Sequence, residues 1–354
     1  MKKNLMVLLM SSLLVLAFAL AGCGGQENAE GGDSQPEQAE QGKANLYISG
    51  PEPMLLELEK GFEKERGDVV DVLHMGCGPL AQKVHTEAEA GDVAADIIWG
   101  AEPSLYIQLQ QEGLLEQYTS PEAANLKEEC QIGDGYYTVC SSRYGVIAYN
   151  QDKVAKQEIP NSWNDLQEGY WKKRLAMADA GQSATALALT AGLTTMNDGK
   201  WDYIKGLKAN EVMLTQQNNQ AVERVATGEV DVAIVPHDGV LRGIKKDKKV
   251  GVKSKLAIAW PAEGSISIQR PIAIIADEKR SDANLQTCQQ FIDFVISPEA
   301  QTIMNKYGFI SVRDDVEMPA GVPKDIKSIN LDWGKIAADA DQIRSNFENI
   351  MLAK

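Results

Sequence analysis

Asn45-Leu-Tyr-Ile-Ser49 runs as a short apolar strand into Gly50-Pro51-Glu52-Pro53, and Leu55, Leu58 and Phe62 then recur at helical spacing until Gly67. The same three-part unit returns twice. Val69-Val-Asp-Val-Leu73 leads into Gly76-Cys77-Gly78-Pro79 and a helix carrying Leu80 and Val84. Ala95-Asp-Ile-Ile-Trp99 leads into Gly100-Ala101-Glu102-Pro103 and a helix that stops at Gly113. Strand, glycine-bearing loop and helix in alternation predict an α/β fold, with a mainly parallel sheet covered by helices.

A second set of alternations begins after Arg143-Tyr-Gly-Val-Ile-Ala-Tyr149, which reads as a strand. Leu175-Ala-Met-Ala178, Val212-Met-Leu214 and Val230-Asp-Val-Ala-Ile-Val235 are further strands. Helices start at Ser183, around Trp201, Ile204 and Leu207, and around Val222, Val225 and Ala226. Leu256 to Trp260 and Ser265 to Ala276 are extended, and the C-terminal part is helical near 284–296 and 298–307 and from Asp332. Two α/β halves joined by strands near 140–150 and 256–276 predict two lobes facing one cleft. Ligands in open α/β sheets bind at the loops beyond the carboxyl ends of strands.

The N-terminus has another composition. Lys2 and Lys3 precede an apolar run from Leu5 to Ala21, broken only by Ser11 and Ser12. The run falls short of the ~20 residues a spanning helix needs. Leu20-Ala21-Gly22-Cys23 resembles the lipobox of bacterial lipoprotein signal peptides. That resemblance implies cleavage after residue 22, lipid on Cys23 and membrane attachment through it; an uncleaved anchor is the alternative. Gly24 to Gly42 carries five acidic side chains and no base, so residues 23–43 read as a self-repelling, disordered linker.

The formal charge is −15, from 50 acidic and 35 basic residues, which excludes nucleic acid as a partner and leaves any anchoring to lipid rather than to surface charge. Lys245, Lys246, Lys248 and Lys249 read as a solvated turn after a helix. Cys130 and Cys140 flank Gly133-Asp134-Gly135 in what reads as a tight hairpin, and a Cys130–Cys140 disulfide is expected in an exported protein. Cys77 and Cys288 are expected to be free thiols. With three histidines and no Cys-x-x-Cys, no metal site is expected.

Several segments are familiar together: Ala95-Asp-Ile-Ile-Trp-Gly100, Tyr144-Gly-Val-Ile-Ala-Tyr-Asn150, Ile159-Pro-Asn-Ser-Trp-Asn-Asp-Leu166, Gly228-Glu-Val-Asp-Val-Ala233, Phe294-Val-Ile-Ser-Pro-Glu-Ala-Gln301 and Tyr307-Gly-Phe-Ile310. The ordered set resembles the extracellular solute-binding proteins of ABC importers, in the branch holding ferric-ion, thiamine, aminoethylphosphonate and hexose-phosphate binders. The resemblance implies a type II periplasmic-binding-protein fold, a small-molecule ligand, closure about a hinge and an ABC permease in the membrane as partner. Lobe 1 is expected over 44–141 plus about 264–310, and lobe 2 over 142–263 plus about 311–354. Ferric-ion binders of this branch carry adjacent tyrosines just after the strand corresponding to Val230–Val235. Here that segment is Pro236-His237-Asp238-Gly239-Val240, and Tyr136-Tyr137 lies elsewhere, in the expected hairpin.

The expected ligand-binding residues follow from loops at strand ends and from helix starts, whose free N–H groups favour anions. They are Gly50 and Pro51; Gly76, Cys77 and Gly78; Ala101; Ser142 and Arg143; Gly181, Ser183, Ala184 and Thr185; and His237 and Asp238. Ser183 and Thr185 offer hydroxyl donors, with N-capping the second job for Ser183. Arg143 either forks onto an oxyanion or pairs with a neighbouring acid. Capping is the expected role of Asn219, core packing that of Trp99, and solvent exposure that of Glu102 and Glu263. The expectation is a monomeric, non-enzymatic receptor without catalytic residues or cofactor. It sits lipid-anchored on the extracytoplasmic face of a Gram-positive type of cell and captures a small anionic solute such as a sugar phosphate or phosphonate. A ferric-iron or thiamine binder, or a ligand sensor partnering a receptor kinase, is the alternative.

Overall fold

The computed structural model describes residues 42–100, 102–196 and 200–353. The signal peptide, Cys23, the linker up to residue 41, Ala101 and Lys354 lie outside these residues. The linker's expected last two residues are already structured: the Gly42 N–H donates to Asp68 Oδ1 at 2.9 Å, and Lys43 opens the first strand.

Lobe 1 is built from β1 (Lys43–Ile48), α1 (Glu52–Arg66), β2 (Val69–His74), α2 (Cys77–Glu89), β3 (Ile97–Trp99) and α3 (Pro103–Gln111). The long β4 (Thr138–Asn150) carries the chain into lobe 2. There follow β5 (Leu175–Ala178), α4 (Ala184–Thr195), α5 (Asp202–Ala209), β6 (Met213–Thr215), α6 (Asn218–Thr227), β7 (Val232–Pro236), α7 (His237–Lys249) and β8 (Leu256–Ala259). The chain returns along β9 (Ser265–Ile274) to α8 (Asp282–Val295) and α9 (Pro298–Asn305). It ends with the short β10 (Ser328–Ile329) and α10 (Trp333–Leu352).

Strand order repeats between the halves. Lobe 1 runs β2-β1-β3-β9-β4 and lobe 2 runs β6-β5-β7-β4-β8. In each half the first three strands are parallel, as β1 to β2 and β3 and β5 to β6 and β7 show, while the crossing strands join antiparallel. β4 and β9 pair with each other from Thr138↔Ile272 to Gly145↔Ile266, with a register slip around Cys140. This is a two-lobed type II periplasmic-binding-protein fold. The parallel strands of both lobes release their loops at one edge, so α1, α2, α4, α6 and α7 all start there.

Packing follows the apolar periodicity. Met54, Leu55, Leu58 and Phe62 are the buried face of α1, and Gly67 ends it at φ 78°, where a side chain would be strained. Phe62 meets Phe291 edge-on at 5.1 Å in a core that also holds Trp99 and Phe294. The second core gathers around Trp163, Trp171 and Tyr203, with Trp163 Nε1 donating to the Gly264 carbonyl at 2.9 Å. The small-residue helix α4 lies directly on the crossing strands. A Cβ at Gly145 would overlap Leu189 Cδ2, and one at Gly192 would meet Ile266 at 2.9 Å. That close approach fixes where Ser183 and Thr185 emerge. α10 also reaches back to lobe 1, where Gln108 Nε2 of α3 donates to the Ala337 carbonyl at 3.2 Å.

Five expectations are corrected. The 130–140 hairpin does not form: Glu128–Cys130 is a turn of 3-10 helix, so the first arm of the hairpin is missing, although Gly133–Tyr136 does turn tightly. Cys130 and Cys140 accordingly stand as free thiols. Cys140 Sγ is committed to the Arg270 carbonyl at 3.1 Å, and burial pushes both thiols up to about 12. His237-Asp238-Gly239 is not a loop but the first turn of α7, and the lysine cluster occupies the last two turns of that helix rather than a turn beyond it. Glu102, expected in solvent, is 3% exposed before α3, where Ser104 Oγ donates to it at 2.9 Å.

Candidate functional site

Five helix starts meet at one cavity of about 450 Å³. Pro51 precedes α1, Gly76 precedes α2, Ser183 precedes α4, Gln217 precedes α6 and Pro236 precedes α7. All five residues line the cavity. The first-turn N–H groups of a helix have no intrahelical acceptor, and their summed dipoles leave partial positive charge at that end. Pro51, Gly76 and Pro236 bring no side-chain cap; α1 and α7 carry one acidic residue each in the first turn, Glu52 and Asp238, and α2 carries none.

Two guanidiniums add formal charge. Arg143, from the middle of β4, and Arg242, from the second turn of α7, both line the cavity. Both reach Asp238, which is fully buried: Arg143 Nε lies 3.6 Å from Oδ1, and Arg242 Nη1 donates to Oδ2. Burial works against the Asp238 charge, but Arg143, Arg242 and His237 together hold its carboxyl well below the usual carboxylate range. Burial likewise lowers Arg143, to about 10, against the support of Asp238, so the guanidinium stays charged at neutral pH. Arg143 Nη1 also lies 3.5 Å from Thr185 Oγ1.

Of the expected residues, Gly50, Pro51, Gly76, Cys77, Gly78, Arg143, Ser183 and Thr185 line this cavity together. Cys77 Sγ lies 3.0 Å from Ser49 Oγ. Ser183 both caps α4, accepting from Ala186 N–H at 3.2 Å, and accepts from Asn218 Nδ2 at 3.0 Å. Ala101 is outside the described residues. Ser142, Gly181, Ala184, His237 and Asp238 do not line the cavity. Ser142 spends its backbone on Ile310, and the Gly181 N–H donates to Asp179 Oδ1 in a turn. His237 is fully buried as a clamp: Tyr144 N–H donates to Nδ1 at 2.9 Å, and Nε2 faces the Gly308 carbonyl at 2.8 Å. Asp238 acts through the two arginines.

Sequence reasoning missed Ser49, His74, Gln182, Gln217 and above all Arg242. Arg242 was legible in principle, since Asp238 and Arg242 stand four apart, the spacing of an ion pair on a helix. The signal was hidden by reading 236–239 as loop.

The converging helix starts and the two arginines suit an oxyanion. A profile of the family described as bacterial extracellular solute-binding protein matches residues 92–339. The chain belongs to that family. Among curated relatives, this solute-binding protein is 22% identical over 291 residues to a Sinorhizobium fredii protein, covering 78% of each chain. That relative carries the provisional name ABC transporter periplasmic-binding protein y4fP. A Salmonella typhimurium protein provisionally named as 2-aminoethylphosphonate-binding is 26% identical over 264 residues, with 72% of this chain and 73% of that one covered. The fold matches AfuA of Actinobacillus pleuropneumoniae, solved with fructose-6-phosphate, at a TM-score of 0.77 and 22% identity, over 88% of this chain and 99% of that one. Iron-bound HitA of Pseudomonas aeruginosa matches at 0.72 and 22% identity, over 86% and 99%. No helix among the described residues is long and apolar enough to cross a membrane.

Proposed function

We propose that this solute-binding protein is the receptor of an ABC importer for a small organic anion, a phosphate monoester or a phosphonate. The ligand is held by closure of the two lobes and handed to a membrane permease. The supporting observation is the cavity's charge: five converging helix starts and two arginines, with Asp238 as their only ion-paired carboxylate among the described residues. The remaining polar side chains on the wall are hydroxyls, carboxamides, a thiol and His74. Such a set donates to phosphoryl oxygens and offers little to a ferric ion, which calls for anionic oxygen donors. The names of the S. typhimurium and A. pleuropneumoniae proteins point to the same ligand class. Calorimetry against fructose 6-phosphate, 2-aminoethylphosphonate, thiamine phosphate and a ferric salt tests the reading. Micromolar binding of one of the first two is expected, and binding of ferric ion alone overturns it.

The same proposal includes a lipid on Cys23 that keeps the receptor near its permease, a monomeric state, and lobe boundaries near residues 142 and 264. A Cys23→Ser variant released from the membrane fraction supports the anchor; one that stays membrane-bound removes it. Uptake lost on deletion of the gene separates import from sensing.

A further inference from the structure

Arg270 is a buried cation without an anion. It sits on the crossing strand β9 opposite Ser141, and it is 2% exposed. Its Nη2 donates to the Ser49 carbonyl, its Nη1 has no hydrogen-bond partner among the described residues, and no carboxylate there forms an ion pair with it. The one compensating contact of another kind is the Phe309 ring, 4.8 Å from its guanidinium carbon. Arg143 lies over the same ring at 5.3 Å. A buried charge normally carries a hydrogen-bonded counter-ion, because desolvation otherwise costs several kcal/mol. Of the arginines at 143, 242 and 270, the first two share the carboxylate of Asp238, and Arg270 has no ion-pair partner among the described residues.

The free charge is aimed at the ligand loop. Ser49, whose carbonyl Arg270 holds, and Gly50, whose added Cβ would sit 3.8 Å from Nη2, both line the cavity. No side chain separates the guanidinium from that loop. Resting on the anion-receptor reading above, we infer that Arg270 is a positioning residue that selects a doubly ionised ligand group. It fixes the Ser49–Gly50 turn and supplies the second unit of positive field that a dianion neutralises and a monoanion leaves unbalanced. Screening by water is weak because the guanidinium is enclosed, so the preference acts without direct contact with the ligand.

Two ligand pairs of matched shape test this at pH 8, where a phosphate monoester is a dianion. Fructose 6-phosphate is compared with fructose 6-sulfate, and 2-aminoethylphosphonate with taurine. The wild type is expected to favour the doubly charged member of the pair it binds by about 100-fold or more, on the scale of a charged, weakly screened interaction. Arg270→Met is expected to bring that ratio to within about fivefold by weakening the dianion and sparing the monoanion. Arg270→Lys, which keeps the charge and loses the fork, is expected to retain most of the ratio. An Arg270→Met protein that loses both members equally shows a structural role and overturns the inference. If Arg270→Met does not fold, an Arg270→Lys protein that binds both members alike overturns it too. A wild type that binds dianion and monoanion equally well overturns the inference and leaves the anion-receptor reading standing. A wild type that binds none of the four anions overturns that reading itself.

Discussion

Arg143 on the crossing strand and Asp238 at the start of α7 form a buried ion pair, with Nε 3.6 Å from Oδ1 and the carboxylate fully enclosed. The pair ties the floor of the cleft to its lobe-2 wall. Asp238→Asn leaves Arg143 buried without a counter-charge, which costs about 3 kcal/mol. The same change raises the positive charge beside the cavity. The expected outcome is therefore opposed: a lower denaturant midpoint with anion affinity unchanged or tighter, measured by urea unfolding and calorimetry on one preparation.

Arg242 shares that carboxylate from the other side and is the more exposed of the two cations, at 29% against 14%. Removing it takes away a cavity donor and also the hydrogen-bonded partner of the buried Asp238 carboxylate. Arg242→Ala is expected to weaken phosphate-ester or phosphonate binding by about 30- to 100-fold, the worth of one charge-assisted hydrogen bond, and to lower the melting temperature, whereas Arg242→Lys keeps the pairing and most of the stability. An unchanged Kd sinks the assignment.

His237 gives the fold an acid limit. Burial lowers its pKa to about 4, despite the opposing pull of Asp238. Because Tyr144 N–H donates to Nδ1, that nitrogen must stay unprotonated, and Nε2–H is the donor to the Gly308 carbonyl. The unfolded chain takes up the proton first, near the ordinary histidine value, so stability falls as pH drops from about 6.5 towards 4, by about one proton in slope. His237→Gln is expected to be less stable at pH 7 and to show a flatter profile over that interval in thermal unfolding. A wild type whose midpoint is constant from pH 7 to 4.5 contradicts the clamp.

The thiols sort by exposure. Cys77 lines the cavity, whereas Cys130, Cys140 and Cys288 are buried, with burial pushing each up to about 12. Native alkylation is expected to modify Cys77 alone among these four, and bound ligand to slow it. Alkylation after denaturation without reductant is expected to reach Cys130 and Cys140 as well. Their resistance would mean that they are joined by a disulfide after all.

Local chemistry made most of the fold readable. Leu55, Leu58 and Phe62 declare α1 and Gly67 stops it, while Leu175–Ala178 forms a strand over the stretch that its apolar run suggests. The lining of the candidate cavity was readable where it depends on strand ends and helix starts, as with Gly76–Gly78, Ser183 and Thr185. It was unreadable where residues far apart in the chain decide. Tyr144 and Gly308 make His237 a structural clamp rather than a ligand contact. The fate of residues 128–140 turns on a competition between a 3-10 turn and a strand arm, which Gly133-Asp134-Gly135 alone does not settle. Nothing near Arg270 in the sequence shows that the one hydrogen-bond acceptor of its side chain among the described residues is the backbone carbonyl of Ser49.

β9 lies between β3 and β4 in lobe 1, although β3 ends at Trp99 and β9 begins at Ser265. Lobe 1 therefore cannot complete its sheet until the chain has passed through β5 to β8 of the other lobe. For an exported chain emerging N-terminus first, the early strands must wait with an open edge while residues 142–264 pass. The two lobes are one folding unit, assembled late and dominated by distant pairings, which makes folding slow. Neither half is a fragment that selection or an experimenter can detach. The crossing strands β4 and β9 that join the two lobes are also the seam that ties the folding of one to the arrival of the other.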